Sequence, residues 1–325
     1  LSREDRIIGM FTAAFMGDAL GAKFEFVGKK RPEFKAKMKE GFTFTSRRTK
    51  ETRTYAPGQV TDDSEMMIIL ATHLTEYDEI DAEKLTEDYI KWAHSGQNFM
   101  GKNTSELFAT IKTLKGYASH YENKFGFKPR YNKEPKYSSE AADNQLSNGS
   151  LMRSAPLALL PDNELIYRDI WITNPNSICE DIEKDYLDAI RMALKGSSAE
   201  EILTFFFRDV KHKRPYRKVL EDLKKGKKRT LINTETEGKG SIMSAIYATI
   251  WCLMWYVNGV KPTEESDSKE IPTYLEMVEG IIEEFPGCDS DTNCCIAGSL
   301  MGAIIGNSFL STDKNYFYNF SKIYD

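Results

Sequence analysis

Two short acidic clusters, Thr61-Asp62-Asp63 and Asp289-Ser290-Asp291-Thr292, each stand immediately before an apolar run of helical spacing. At such places Ser, Thr and Asp cap helices, because their oxygens satisfy the unpaired first-turn N–H groups and their charge suits the helix dipole. Four carboxylates with neighbouring hydroxyls are nevertheless more oxygen ligands than two caps require. Mg²⁺ and Mn²⁺ take such hard-oxygen sets, and two ions about 3.5–4 Å apart need carboxylates able to bridge them. The histidines His73, His94, His120 and His212 lie outside both clusters and form no HExxH spacing, so zinc is not expected.

Helices must position these groups. Helical periodicity runs through Ile7–Leu20, Ser64–Thr75, Ala82–Ala93, Thr104–Leu114, Tyr186–Leu194, Ala199–Phe207, Ser241–Val257, Tyr274–Phe285 and Asn293–Ile305. Alternating β patterns are short, Phe42–Thr45 being the clearest, and no repeat recurs. Gly28–Val60 and Gly116–Ser147 read as long irregular connections, of the kind that is functional or mobile inside a compact domain. The chain is expected to form one all-α domain over residues 1–325. Small residues at Ala297, Gly298, Ser299, Gly302, Ala303 and Gly306 predict a last long helix buried at close approach to its neighbours.

Composition narrows the class. With 41% hydrophobic and 29% charged residues the chain can build a globular core, and disorder is excluded as its general state. A net charge of −5 neither demands a nucleic-acid partner nor forbids an anionic ligand. Five cysteines without CxxC spacing, two of them adjacent, suit a reducing, cytoplasmic compartment. The charged N-terminus, broken by Gly17-Asp18, is unlike a signal peptide, Leu1 in place of an initiator Met fits a trimmed or incomplete start, and no run reads as a membrane span. The basic stretch Arg208–Arg229 reads as a solvated helix face and loop, with a phosphate-rich partner as the alternative.

In order along the chain, Gly17-Asp18-Ala19-Leu20-Gly21-Ala22-Lys23-Phe24-Glu25-Phe26, Thr61-Asp62-Asp63, Asn148-Gly149-Ser150-Leu151-Met152-Arg153 with Ala155-Pro156, and Gly287-Cys288-Asp289-Ser290-Asp291-Thr292-Asn293 resemble the motifs of the ADP-ribosylglycohydrolases. Trp92, Gly96, Phe99, Gly101 and Thr104 fit a spaced pattern between them, and the likeness, which is to the dinitrogenase-reductase-activating type, spans residues 7–306. The resemblance implies a compact all-α fold with two Mg²⁺ or Mn²⁺ ions at the base of an ADP-ribose cleft. It implies metal ligation by Thr61, Asp62, Asp63, Asp289, Asp291 and Thr292, with Asp291 bridging, and catalysis by Glu25, Asp62 or Asp63. Gly101 would contact the substrate, and Asn148, Gly149 and Ser150 would present backbone N–H groups to its pyrophosphate. Met152 is expected in the core and Arg153 as a buried structural partner, while Asp18 is either an exposed helix-end cap or an orienter of a ligand.

Asn174 stands where many relatives carry His, Ser241 where they often carry Tyr, and Cys288 where Gly is common, so an imidazole and an aromatic ligand contact are not expected here. The implied reaction is hydrolysis of the glycosidic bond between ADP-ribose and a protein side chain, arginine before serine, by a monomer acting on ADP-ribosylated protein or another ADP-ribose derivative away from membranes. The alternatives are an ADP-ribose-binding or structural protein on the same fold without turnover, and a metal-dependent phosphohydrolase.

Overall fold

The computed structural model describes residues 1–26, 41–45, 50, 52–77, 79–96, 100–133, 146–208, 216–226, 240–264 and 269–310. The fold is all-α, as the periodicity predicts. The described helices are α1 (Arg3–Gly21), α2 (Asp62–Glu76), α3 (Ala82–Ala93), α4 (Lys102–Phe108), α5 (Leu114–Phe125), α6 (Tyr167–Thr173), α7 (Ser177–Leu194), α8 (Ala199–Phe207), α9 (Arg217–Lys224), α10 (Ile242–Asn258), α11 (Tyr274–Glu284), α12 (Ser290–Ile305) and α13 (Asn307–Leu310). One antiparallel hairpin, β1 (Phe42–Thr45) with β2 (Thr52–Tyr55), pairs Phe42 with Tyr55 and Thr45 with Thr52. It supplies ordered structure inside the segment expected to be irregular from Gly28 to Val60. Its outermost pair, far from the turn, carries stacked Phe42 and Tyr55 rings 4.5 Å apart.

Contacts divide the chain into two compact units, residues 1–61 with 189–325, and residues 62–188. At the centre of the first unit α1 lies on α12 at backbone contact. A Cβ built on Gly21 would come 2.6 Å from the Asp291 Cα, and one on Gly298 2.5 Å from the Ala13 carbonyl oxygen. Gly9 and Gly302 meet in the same way. The glycines are needed because any side chain here would enter the facing backbone. Every residue of α12 from Ser290 to Ile304 is buried, as its small-residue composition predicts. By length and composition alone Arg3–Phe24 also reaches the size of a membrane span, which the sequence reading did not find. More than half of its apolar stretch, 56%, is buried inside the protein, the behaviour of a core helix.

In the second unit α2 packs on two 3₁₀ turns, Leu151–Arg153 and Ala155–Leu159. Here the structure corrects two expectations. The helix expected over Thr104–Leu114 ends at Phe108, and Thr113, in extended conformation, caps a new helix by accepting from the Gly116 N–H at 3.2 Å. That new helix, α5, occupies the start of the segment expected to be irregular from Gly116 to Ser147. It buries Tyr117, Tyr121 and Phe125, one per turn, and stops at Gly126 with φ 80°. Residues 27–40, 97–99, 134–145, 227–239 and 311–325, among others, lie outside the described residues, and Phe99, His212, Lys227, Lys228 and Arg229 lie there too.

Candidate functional site

In the first unit, Glu25, Asp289 and Asp291 each offer a carboxylate oxygen, and these oxygens all lie within 4.8 Å of one another. Local backbone holds them there. Asp289 occupies the N-cap position of α12 but makes no side-chain cap hydrogen bond, and Asp291 stands one residue inside the helix, its Oδ1 accepting from the Thr292 N–H at 3.0 Å. Ser290, between them, donates to the Gly21 carbonyl at 2.9 Å and so ties this turn to the end of α1. Past α1 a short 3₁₀ turn brings Glu25 round, and the next residue, Phe26, takes the left-handed φ of 54° and donates its N–H to the Cys288 carbonyl at 3.0 Å. Asp289, Asp291 and Thr292 are at most 9% exposed.

Three carboxylates this close repel one another unless a cation or protons compensate. The donor set contains oxygen only, the kind that hard divalent cations take. His73 accepts from the Asp81 N–H at 3.1 Å, and His94 and His120 bond the Ile111 and Glu106 carbonyls, so these rings serve structure. Burial lowers the His73 pKa against the pull of nearby carboxylates, keeping it a neutral acceptor.

Asp18 is completely buried, which removes the reading of an exposed cap. Its carboxylate takes the Thr61 N–H at 3.0 and 3.1 Å and the Thr61 hydroxyl at 2.7 Å, so it fixes the residue that leads into the second acidic pair. The pair itself, Asp62 and Asp63, forms the first turn of α2 in the second unit. Asp62 accepts from the Gly101 N–H at 3.2 Å, and Asp63 is 2% exposed. Gly101, at the N-cap of α4, has nothing among the described residues within 4 Å of where a Cβ would stand.

The loop before the first 3₁₀ turn is held by its carbonyls. Ser147 O accepts from Asn174 Nδ2 at 3.0 Å, Asn148 O from the Met152 N–H at 3.0 Å, and Gly149 O from Arg153 Nη1 at 2.7 Å. In a trans peptide the C=O and the following N–H point in opposite directions. The N–H groups of Asn148, Gly149 and Ser150 therefore point away from these donors, and among the described residues none accepts from those of Gly149 and Ser150. The N–H groups of Gly149 and Ser150 are thus available to an anion.

Arg153 anchors this arrangement. It is fully buried, its Nε lies 3.0 and 3.1 Å from the Asp169 carboxylate oxygens, and its guanidinium covers the Tyr89 ring at 5.0 Å. Burial opposes its charge, but Asp169 outweighs burial and pushes its pKa up. Met152 is core, at 4% exposure. Asn174 spends its amide on Ser147, and Ser241 caps α10 by accepting from the Met243 N–H at 3.2 Å, so both departures carry local structural roles. Missed by the sequence reading was Glu183 of α7, fully buried and accepting from the Ser150 hydroxyl. The signal was present: Glu183 falls four residues after Cys179 and three before Tyr186, in the middle of the apolar face of α7.

Comparison with known proteins bears on the family and the fold. The family model described as ADP-ribosylglycohydrolase matches residues 1–313. A protein of Acanthamoeba polyphaga mimivirus bearing the name "Putative ADP-ribosyl glycohydrolase L543" is 22% identical over 322 residues, covering 95% of this chain and 89% of its own length. A solved structure titled "ADP-ribosylglycohydrolase-related protein complex" is similar with a TM-score of 0.64 at 22% identity, over 95% of this chain and 90% of that one, and establishes the fold. With the family model spanning nearly the whole chain and the motif residues built into defined turns, the chain belongs to the ADP-ribosylglycohydrolase family.

Proposed function

We propose that this protein hydrolyses the glycosidic bond joining ADP-ribose to a modified side chain, with a divalent-metal centre at Asp289 and Asp291 and the Glu25 carboxylate beside it. The observation that carries the reading is the convergence of those three carboxylates in a chain of this family. Thr292 adds a hydroxyl on the same turn, and Thr61, Asp62 and Asp63 keep the ligand role that the family motif implies for them. Mg²⁺ or Mn²⁺ held there would attract the ribose hydroxyls and lower the pKa of a water.

The chain's own groups supply the rest. The loop Asn148–Ser150 directs N–H groups to the pyrophosphate and so places the distal ribose. Glu25, or failing it Asp62 or Asp63, accepts the proton of the water that attacks the anomeric carbon, which has oxocarbenium character as its bond to the side chain breaks. The leaving atom is a guanidinium nitrogen when the modified residue is arginine and a hydroxyl oxygen when it is serine. Arginine is the favoured substrate, on the likeness of the motifs to the dinitrogenase-reductase-activating type. A panel of ADP-ribosyl-arginine, ADP-ribosyl-serine and poly-ADP-ribose, assayed for free ADP-ribose, tests this. Release from the arginine conjugate supports it, and tight binding of ADP-ribose without release from any member would point to a silent binding protein.

A further inference from the structure

We propose that Glu183 is a positioning residue: its carboxyl holds the Ser150 hydroxyl from inside the second unit and keeps the Asn148–Ser150 loop shaped for an anionic group. The inference rests on the reading of that loop as the pyrophosphate site.

The charges around Glu183 are already matched without it. Asp169 is paired with Arg153, which also spends its second nitrogen on Gly149 O and on Thr173 Oγ1 at 2.9 Å. Glu180 receives the Trp171 indole N–H and lies 3.7 Å from Lys184. Tyr89 donates to Asp169 at 3.0 Å. Glu183 is therefore the odd carboxyl of the cluster. One of its oxygens takes the Ser150 hydroxyl, and the other, Oε2, is buried with no hydrogen-bond partner among the described residues. An ionised carboxyl in that position would be buried with one donor for its two oxygens, which disfavours the charged form. Burial, against the opposing effect of Ser150, pushes its pKa up to about 8; Asp169 and Glu180 add to the rise and Arg153 opposes it. The Cys179 thiol, one turn before it, is raised by burial and adds no charge at neutral pH.

The neutral acid has a consequence for binding. Placed behind a loop whose N–H groups face an anion, it costs nothing electrostatically, but once ionised it puts a negative charge behind that anion. Anion binding and protonation of Glu183 are then linked, each favouring the other. Affinity for ADP-ribose falls as pH rises through about 8, and ADP-ribose binding near that pH takes up protons.

The test is calorimetry of ADP-ribose binding to the whole protein between pH 6.5 and about 9.5, for the wild type and Glu183→Gln, whose amide keeps the shape and cannot ionise. Wild-type affinity should drop on the order of tenfold across this range, and the variant should lose that drop while retaining affinity near the wild-type value at pH 6.5. If the variant keeps the same pH profile, Glu183 has no such role even though the ligand reading stands. If wild type binds no ADP-ribose at any pH, the ligand reading fails and takes this inference with it. Should Glu183→Gln not fold, titrating wild type at pH 8 in two buffers of different ionisation enthalpy decides the matter. A fraction of a proton taken up per ADP-ribose supports the role, and none overturns it.

Discussion

Asp289 and Asp291 occupy the first turn of α12, where capping alone could explain them, yet Asp289 forms no side-chain cap and its carboxylate gathers instead with those of Asp291 and Glu25. Asp291→Asn keeps shape and volume but removes the charge that the proposed metal ligation requires, so its turnover should fall by roughly a hundredfold or more with an unchanged circular-dichroism spectrum. Wild-type turnover at saturating Mg²⁺ would make Asp291 a cap and nothing else. Glu25→Gln separates chemistry from affinity. As the proton acceptor, Glu25 should lose roughly 10²–10⁴-fold in kcat with little change in ADP-ribose affinity by calorimetry, and an equal loss in both would transfer the base role to Asp62 or Asp63. At this scale the sequence was informative because motif residues carry their chemistry in their type. Asp18 was not readable in that way. Its position at a helix end was compatible with exposure, and only the fold puts it against Thr61.

Among the elements, α3 and α8 match the ranges expected from periodicity, because each alternates apolar and charged faces and begins at a capping side chain, Asp81 or Ser198. The helix α5 was hidden because its buried stripe is made of Tyr117, Tyr121 and Phe125 among Lys, Asn and Ser, a composition that reads as loop. The strand β2, Thr-Arg-Thr-Tyr, was hidden because a hairpin this short declares itself only with its partner. Packing of α1 on α12 rests on the missing side chain of Gly302, which faces Gly9. Gly302→Ala should therefore cost about 1–3 kcal/mol in urea denaturation, and a stability equal to wild type would show that the two backbones can part at no cost. The helix α7 carries a second stability test through Glu183. Its pKa is raised in the folded state from an ordinary 4.5 to about 8. The folded protein then keeps a proton that the unfolded chain releases, so the contribution of Glu183 to stability is fully present below pH 4.5 and is lost as pH rises towards 8. Thermal midpoints of Glu183→Gln should rise relative to wild type over that window, and parallel midpoints would place the Glu183 pKa near its ordinary value.

Over the whole chain, the family's motifs are distributed between two compact units, residues 1–61 with 189–325 and residues 62–188, a division that motif order along a sequence does not reveal. Periodicity reports on local elements and says nothing of which distant segments share a core. The basic stretch Arg208–Arg229 lies outside every motif, and its described helix α9 buries only Val219, Leu220 and Leu223. Reversing the charges of Lys224 and Lys225 should leave kcat/KM for a small ADP-ribosyl-arginine substrate within about twofold of wild type, as expected for solvated charges; a large loss in a folded variant would give this segment a role in the reaction. The most direct measurement is release of free ADP-ribose from ADP-ribosyl-arginine by metal-stripped protein, with and without added Mg²⁺ or Mn²⁺. Release is expected only when the cation is present and should be lost in excess EDTA. Undiminished hydrolysis by verified metal-free protein would overturn a metal centre at Asp289 and Asp291.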